Sequence, residues 1–378
     1  MLKRHRVLGH HTVPAGPAPL RTRRACPARS GPGEGNGKGS MAQQVVLTGI
    51  TTTGTPHLGN YVGAIRPAVA ASHRDGVASF YFLADLHALV KNQDPDAVHR
   101  SSLEVAATWL ALGLDTEKAI FYRQSDIPEI PELTWILTSV TAKGLMNRAH
   151  AYKAAVQANE DAGSPDPDRG ITVALFCYPI LMAADILLFR ANRVPVGQDQ
   201  KQHVEMARDI AQRFNHHFGE HFVLPDADIG ADTAVLLGLD GRKMSKSYDN
   251  TIPLFAPPKQ LRKLVMRIKT NSLEPGVPKD TEGSTLFDIY RAFATPTQTD
   301  AMRARYAAGA GWGELKQELC EYLEDHLRAP RAEYERLIAA PDHVEGVLRR
   351  GAERARALAG PFLAGIRHAV GIRRLAAR

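Results

Sequence analysis

The chain has 378 residues, 44% hydrophobic and 23% charged, which excludes a disordered or collagenous polymer and leaves room for two domains with a sizeable core. Its formal charge of +7 points first to nucleic acid, but residues 1–40 hold eight basic residues (Lys3, Arg4, Arg6, Arg21, Arg23, Arg24, Arg29, Lys38) and one acid, Glu34, so the rest balances at 39 against 39. A broadly basic surface is thereby excluded from the globular part, and any polyanion contact there is local. Cys26, Cys177 and Cys320 are too few and too scattered for a disulfide framework or a zinc site, which predicts a reducing, cytoplasmic compartment.

Residues 1–40 are rich in Pro, Gly and Arg without a usable period, and are expected to be disordered. Their composition also fits an organellar targeting segment, and Met41 fits a misassigned start; no function is assigned to them. From Gln44 the chain alternates. "QVVL" (44–47), "SFYFL" (79–83), "AIFY" (119–122) and "RVPVG" (193–197) read as buried parallel strands. Helical spacing lies between them: Gly59 to Ala71, interrupted by Pro67, and a second helix with Asp94 as N-cap, Pro95 at its first position and Gly113 as its stop. "ITVALFCYPILMAADILLF" (171–189) nearly matches a bilayer span, but Pro179 and Asp185 make it a buried helix, so no membrane partner is expected. Another helix is predicted from about Gln198 to Phe214. The fold class is therefore α/β, a Rossmann-like doubly wound parallel sheet over residues 41–240, with a helical insertion. Beyond Asn250 four stretches carry helical spacing, giving a mostly α-helical C-terminal domain over 251–378.

In open α/β sheets the first strand-to-helix turn is a frequent ligand site. Here it reads "TGITTTGTPHLGNY" (48–61), with Gly49, Gly54 and Gly59 allowing close backbone approach and a helix start aimed at an anion. The spacing is neither G-x-G-x-x-G nor a P-loop, so the turn indicates phosphates without naming their owner, and an irregular connection remains the plain alternative. A second segment, "GRKMSKSYDN" (241–250), sets Lys243 and Lys246 with Ser245 and Ser247 on one short loop after Gly241. Alone it would read as a solvated basic turn. A third anomaly lies in the apolar helix. Tyr178, Met182, Asp185 and Phe189 fall at i, i+4, i+7 and i+11 on one face, so a carboxylate is buried in an apolar stripe and needs a donor. That donor is either internal, such as Arg190 or a backbone N–H, or a substrate.

"PHLGN" resembles the HIGH motif of class I aminoacyl-tRNA synthetases, with Asn60 at the final histidine, and "KMSKS" is their second motif unaltered. "CYPILMAADILLFR" with "VPVGQDQKQHVEMARDIAQRFN" (194–215) resembles the specificity helix and following segment of the bacterial tryptophanyl enzymes. The resemblance covers nearly all of residues 44–378. It implies that ATP, with Mg²⁺ assisting, activates L-tryptophan to tryptophanyl-adenylate, and that the acyl group passes to tRNA(Trp). It implies that His57, Asn60, Lys243 and Lys246 serve the chemical step, and that Thr51, Thr52, Thr53, Gly59, Asn60, Gly197, Gln198, Asp199, Val235 and Lys243 to Ser247, Met244 included, bind the nucleotide. Asp185 would read the indole N–H, with Tyr178, Met182 and Gln200 around the amino acid. The homodimer and the tRNA-anticodon role of residues 251–378 also come from the resemblance alone.

Two departures stand out: "GITT" replaces the family's usual Gly-Ile-Gln-Pro at Thr51, and Ala155 replaces a basic residue two positions after Lys153, itself a candidate ATP contact. His87 in "ADLHAL" matches a family pocket position and equally fits a packed, satisfied histidine. A tyrosyl-tRNA synthetase shares both motifs, a ligand-sensing paralogue would share the pocket, and a nucleotidyltransferase without tRNA would share the fold. An acceptor-only carboxylate suits indole better than phenol, an intact KMSKS argues for catalysis, and the long helical tail argues for a tRNA partner.

Overall fold

A computed structural model describes residues 44–52, 54–229 and 235–375; the expectations for residues 1–40 and for Thr53 lie outside them. In chain order, β1 (Gln44–Thr51) leads into α1 (Leu58–Asn60), a widened π turn at Tyr61–Ile65 and α2 (Arg66–Ser72). β2 (Val77–Ala84), α3 (Asp85–Ala88), α4 (Pro95–Ala111) and β3 (Ile120–Arg123) follow, then α5 (Glu129–Val140), α6 (Lys143–Met146), α7 (His150–Asp161) and α8 (Val173–Leu188). β4 (Arg193–Pro195), α9 (Lys201–Phe218) and β5 (Asp226–Asp228) complete the sheet. The tail is helical: α10 (Pro258–Met266), α11 (Thr285–Phe293), α12 (Pro296–Ala307), α13 (Trp312–Ile338) and α14 (Pro341–Ala369).

The sheet is parallel throughout, in the order β3-β2-β1-β4-β5. Its apolar strands are explained by burial on both faces. Along β2, Phe80 and Phe82 enter one core with Leu47, Tyr122 and Ile180, while Tyr81 and Leu83 enter the other with Trp109 and Phe121. That second core continues into Leu286, Leu319 and Leu348 of the tail. α14 lies against edge strand β3 so closely that a Cβ at Gly351 would stand 1.7 Å from the Phe121 carbonyl oxygen. The helix thus covers an edge that would otherwise offer unpaired backbone groups.

Asp94 caps α4 through the amides of Asp96 and Ala97, and Gly113 follows the helix at φ +87°, both as the sequence indicates. Pro67 does not interrupt its helix. It sits at the second position of α2, directly after the π turn, where the widened backbone accommodates its ring and missing N–H. α5, α6 and α7 lie within 41–240, where a helical insertion was expected without bounds; α12 was not anticipated, nor was β5, whose Asp-Ala-Asp sequence has no strand pattern. Among the described residues no helix is long and apolar enough to cross a membrane.

Candidate active site

Strand order reverses between β1 and β4, so the crevice beyond their carboxyl ends is where such a sheet accepts ligands. Thr51 ends β1 and Thr52 is fully buried, its hydroxyl without a hydrogen-bond partner among the described residues. The chain then turns through Gly54 at φ +96°, whose N–H donates to Ser101 Oγ at 2.8 Å, while Thr55 Oγ1 donates to Glu104 Oε2 at 2.7 Å. α4 therefore holds the turn from beneath. His57 and Asn60 form a reciprocal cap: the Asn60 N–H donates to His57 Nδ1 and the His57 N–H to Asn60 Oδ1. This fixes the imidazole tautomer. With Nδ1 accepting, the neutral ring carries its proton on Nε2, and the Asn60 amide keeps its NH₂ group for donation. Burial, with Lys246 nearby, pushes the His57 pKa down to about 4 and holds the ring neutral.

The second loop closes on the same turn. Leu58 N–H donates to the Ile252 carbonyl at 3.0 Å and Leu254 N–H to that of Pro56 at 3.0 Å, so the chain just after the loop pairs with the turn. The Lys246 ammonium stands 3.5 Å from where Gly54 would carry a Cβ, and Met244, buried, lies 3.5 Å from the same point on Gly59. Desolvation against the turn lowers the Lys246 pKa, with Glu104 opposing. Lys243 and Ser247 are exposed. Val235 is 60% exposed beside Leu236, whose carbonyl accepts from the Met244 N–H at 2.8 Å.

A residue that sequence reasoning missed builds this loop. Asn250 is buried; its Oδ1 accepts from the Ser245 N–H at 2.8 Å, and its amide donates to Asp240 Oδ1 at 2.7 Å and to the Lys243 carbonyl at 3.1 Å. The Asn250 amide, with Arg242, holds the Asp240 carboxyl down at about 2. Gly241 had drawn attention as the loop's start, but Asn250 determines its shape.

Across the crevice, Gly197 begins a short 3₁₀ turn at Gln198–Gln200, with Asp199 Oδ1 folded back to 2.7 Å from the Gly197 Cβ position. Tyr178 and Met182 are half-buried on α8. Tyr178 Oη lies 2.7 Å from His203 Nε2, His203 Nδ1 lies 2.9 Å from Gln200 Oε1, and Gln200 Nε2 donates to Asp199 Oδ2 at 2.9 Å. One chain of hydrogen bonds thus joins two residues expected to hold the amino acid to one expected to hold the nucleotide.

Asp185 is 1% exposed and does find an internal donor, though not the one anticipated. Arg190 is exposed, with its backbone in the left-handed region (φ 54°). Gln124, at the carboxyl end of β3, donates through Nε2 to both carboxylate oxygens at 2.8 and 2.9 Å, and His87 Nε2 lies 2.8 Å from Oδ2. Gln124 Oε1 accepts from the Leu86 N–H at 3.1 Å, so its amide orientation is fixed. Burial pushes the Asp185 carboxyl up, while His87 and Gln124 pull it back down. Three contacts fill three of a carboxylate's roughly four acceptor positions, which leaves one acceptor position over. Both earlier readings of this carboxylate are thereby compatible: it is structurally satisfied and still able to accept.

Lys153 stands exposed on α7. A cavity of about 400 Å³ between α3 and the start of α4, lined by Asp85, Asp94, His99, Arg123 and Ser125 among others, contains none of the expected site residues. Among the described residues no cluster of three His, Cys, Asp or Glu side chains could hold a metal ion.

A parallel sheet with the PHLGN turn and the KMSKS loop meeting at its switch point is the architecture of class I aminoacyl-tRNA synthetases. The family model of tRNA synthetases class I (W and Y) matches residues 41–328. The tryptophan–tRNA ligase of Pseudomonas aeruginosa is 62% identical over 333 residues, covering 87% of this chain and 74% of that protein. The ligase of the same name from Neisseria meningitidis is 57% identical, covering 89% of this chain and 100% of its own. The solved tryptophanyl-tRNA synthetase of Campylobacter jejuni, complexed with ADP and tryptophan, is 41% identical with a TM-score of 0.78, covering 87% of this chain and 100% of that one. The chain belongs to the class I tRNA synthetases of tryptophan and tyrosine, and within them to the bacterial tryptophanyl-tRNA synthetases.

Proposed function

We propose that the chain activates L-tryptophan with ATP, forming tryptophanyl-adenylate and pyrophosphate, and transfers the tryptophanyl group to the 3′ end of tRNA(Trp). The observation that carries this reading is the meeting of the two loops: Lys246 against Gly54, and Met244 against Gly59. A triphosphate laid across Thr51 to Asn60 would be gripped from below by His57 Nε2–H and the Asn60 amide, and from above by Lys243, Lys246, Ser245 and Ser247. The tryptophan carboxylate attacks the α-phosphate, the bond to the β-phosphate breaks, and the charge on departing pyrophosphate falls beside the two ammonium groups. Positioning and electrostatics suffice, and no covalent nucleophile is required. Gly197, Gln198, Asp199 and Val235 would face the nucleoside. Mg²⁺ would enter with the substrate as Mg·ATP.

Asp185 would accept the indole N–H, Met182 pack on the ring, and Tyr178 and Gln200 receive the α-ammonium. Residues 41–240 then form the catalytic domain, 241–250 the closing loop and 251–378 the helical domain that reads the tRNA anticodon, in a cytoplasmic homodimer. Trp135, 75% exposed on α5, and Val173, 77% exposed on α8, offer apolar surface that a second copy would cover. The test is ATP–pyrophosphate exchange with each of the twenty amino acids, followed by charging of tRNA(Trp). Tryptophan alone should support exchange; exchange with tyrosine, or with none, would overturn the reading.

A further inference from the structure

His203 belongs to neither loop and is assigned no role by the activity, yet it is 4% exposed and both its ring nitrogens are engaged. The direction of its hydrogen bonds can be deduced from one end. Asp199 can only accept, so the Gln200 NH₂ must face it and Gln200 Oε1 must face His203. Oε1 can only accept, so His203 Nδ1 carries the proton. Burial lowers the pKa of His203; His150 and His87 lower it further and Asp199 opposes, which leaves the ring neutral and Nε2 bare. The Tyr178 hydroxyl must therefore donate to Nε2, across 2.7 Å. Its proton is committed, and only its lone pairs can face a ligand. Gln200 Oε1 likewise retains a second lone pair.

We infer that His203 is a positioning residue that turns Tyr178 and Gln200 into a pair of acceptors for the substrate's α-ammonium, so that the site selects a zwitterionic amino acid rather than its deaminated analogue. Tyr178 lies seven residues from Asp185 on one rigid helix, about 10 Å of rise, a span suited to an indole ring and its α-carbon with a hydrogen bond at each end. A hydroxyl free to rotate would present its proton to the ammonium part of the time, and the preference would weaken. The inference rests on the reading of Tyr178 and Gln200 as residues that face tryptophan.

The experiment compares binding of L-tryptophan with that of indole-3-propionate, which keeps ring and carboxylate but lacks the ammonium, by calorimetry on the full-length protein, with ATP affinity as a fold control. His203→Phe should lower the preference for tryptophan by about tenfold or more, since a hydrogen bond to a charged group is lost or misdirected, while indole-3-propionate and ATP bind as before. His203→Gln, which can both accept and donate, should keep the preference within about threefold. An unchanged preference in His203→Phe, or equal loss of both ligands, overturns the inference. If that variant fails to fold, Tyr178→Phe takes its place and must lose the preference to the same degree; retention overturns the inference equally. A wild-type chain that fails to bind tryptophan would sink the proposed function and this inference together, whereas tryptophan binding with an unmoved preference sinks only the latter.

Discussion

Replacing Asp185 by alanine removes the one buried carboxylate among the described residues, the proposed acceptor of the indole N–H, and its consequences separate by ligand. A hydrogen bond from an indole N–H to a charged acceptor contributes roughly 1.5–3 kcal/mol, or about ten- to hundredfold in kcat/KM. Asp185→Ala should lose at least that much for tryptophan in pyrophosphate exchange. It also strands the donors of Gln124 and His87, each costing about 1–3 kcal/mol, offset by no longer burying a charge, so a modest fall in thermal stability accompanies it. The informative comparison uses the tryptophan analogue in which sulfur replaces the ring N–H. Wild type should prefer tryptophan over it strongly, and Asp185→Ala should abolish most of that preference. Asp185→Asn is the milder variant: its oxygen still accepts from Gln124 and its NH₂ can donate to His87 in the other tautomer, while the charge and one of the two Gln124 contacts are lost. A preference unaltered in the alanine variant would refute the argument.

Lys246→Ala should slow single-turnover adenylate formation by about tenfold or more with little change in tryptophan affinity; an unaltered rate would remove this residue from the chemical step. His57 should titrate at about 4 by NMR of labelled imidazole, well below its ordinary 6.5, and Lys246→Met should move it upward; a value near 6.5 contradicts the buried, capped geometry. The sign follows: because the folded state resists protonation, this group lowers stability progressively as pH falls from about 6.5 to about 4, and contributes nothing above that window. Gly351→Val forces side-chain atoms into the Phe121 carbonyl and should destabilise the fold by about 1–3 kcal/mol or more in urea unfolding, where no loss would mean that α14 can lift from β3 freely.

What could be read from the sequence was linear. "SFYFL" declares a strand buried on both faces, and the two synthetase loops are contiguous runs whose chemistry is concentrated within about ten residues. The Asp185 anomaly was equally visible, since a carboxylate in an apolar stripe violates the pattern around it. Its partners were not. Gln124 lies 61 residues away and His87 98, just beyond the ends of β3 and β2, which only the sheet brings together. A polar residue immediately after the apolar "AIFY" run was the available signal for Gln124, and a histidine one helical turn beyond Gln200 was the signal for His203. Neither has a period. β5 was illegible for a related reason: a three-residue edge strand is defined by its neighbour β4 rather than by its own side chains.

The way hydrogen bonds are distributed separates recognition from chemistry. In the proposed amino-acid pocket the key polar groups are buried and hydrogen-bonded to one another or to their neighbours: Gln124 at 0%, Asp185 at 1% and His203 at 4% exposure, all on or against regular elements. Such a network has one low-energy arrangement, and a misfit ligand leaves an unpaired group with no water to replace it. The loop is the opposite case. Lys243, Lys246 and Ser247 are exposed, and the loop is shaped from behind by Asn250, which bonds the backbone and Asp240. Under the proposed function this segment closes over a triphosphate and then releases pyrophosphate, which buried side chains locking its ligand face would prevent. Because the two networks share no residue, substitutions at Gln124, Asp185 or His203 should alter which amino acid is accepted, and substitutions at Lys246 or Asn250 should alter how fast any accepted one is activated.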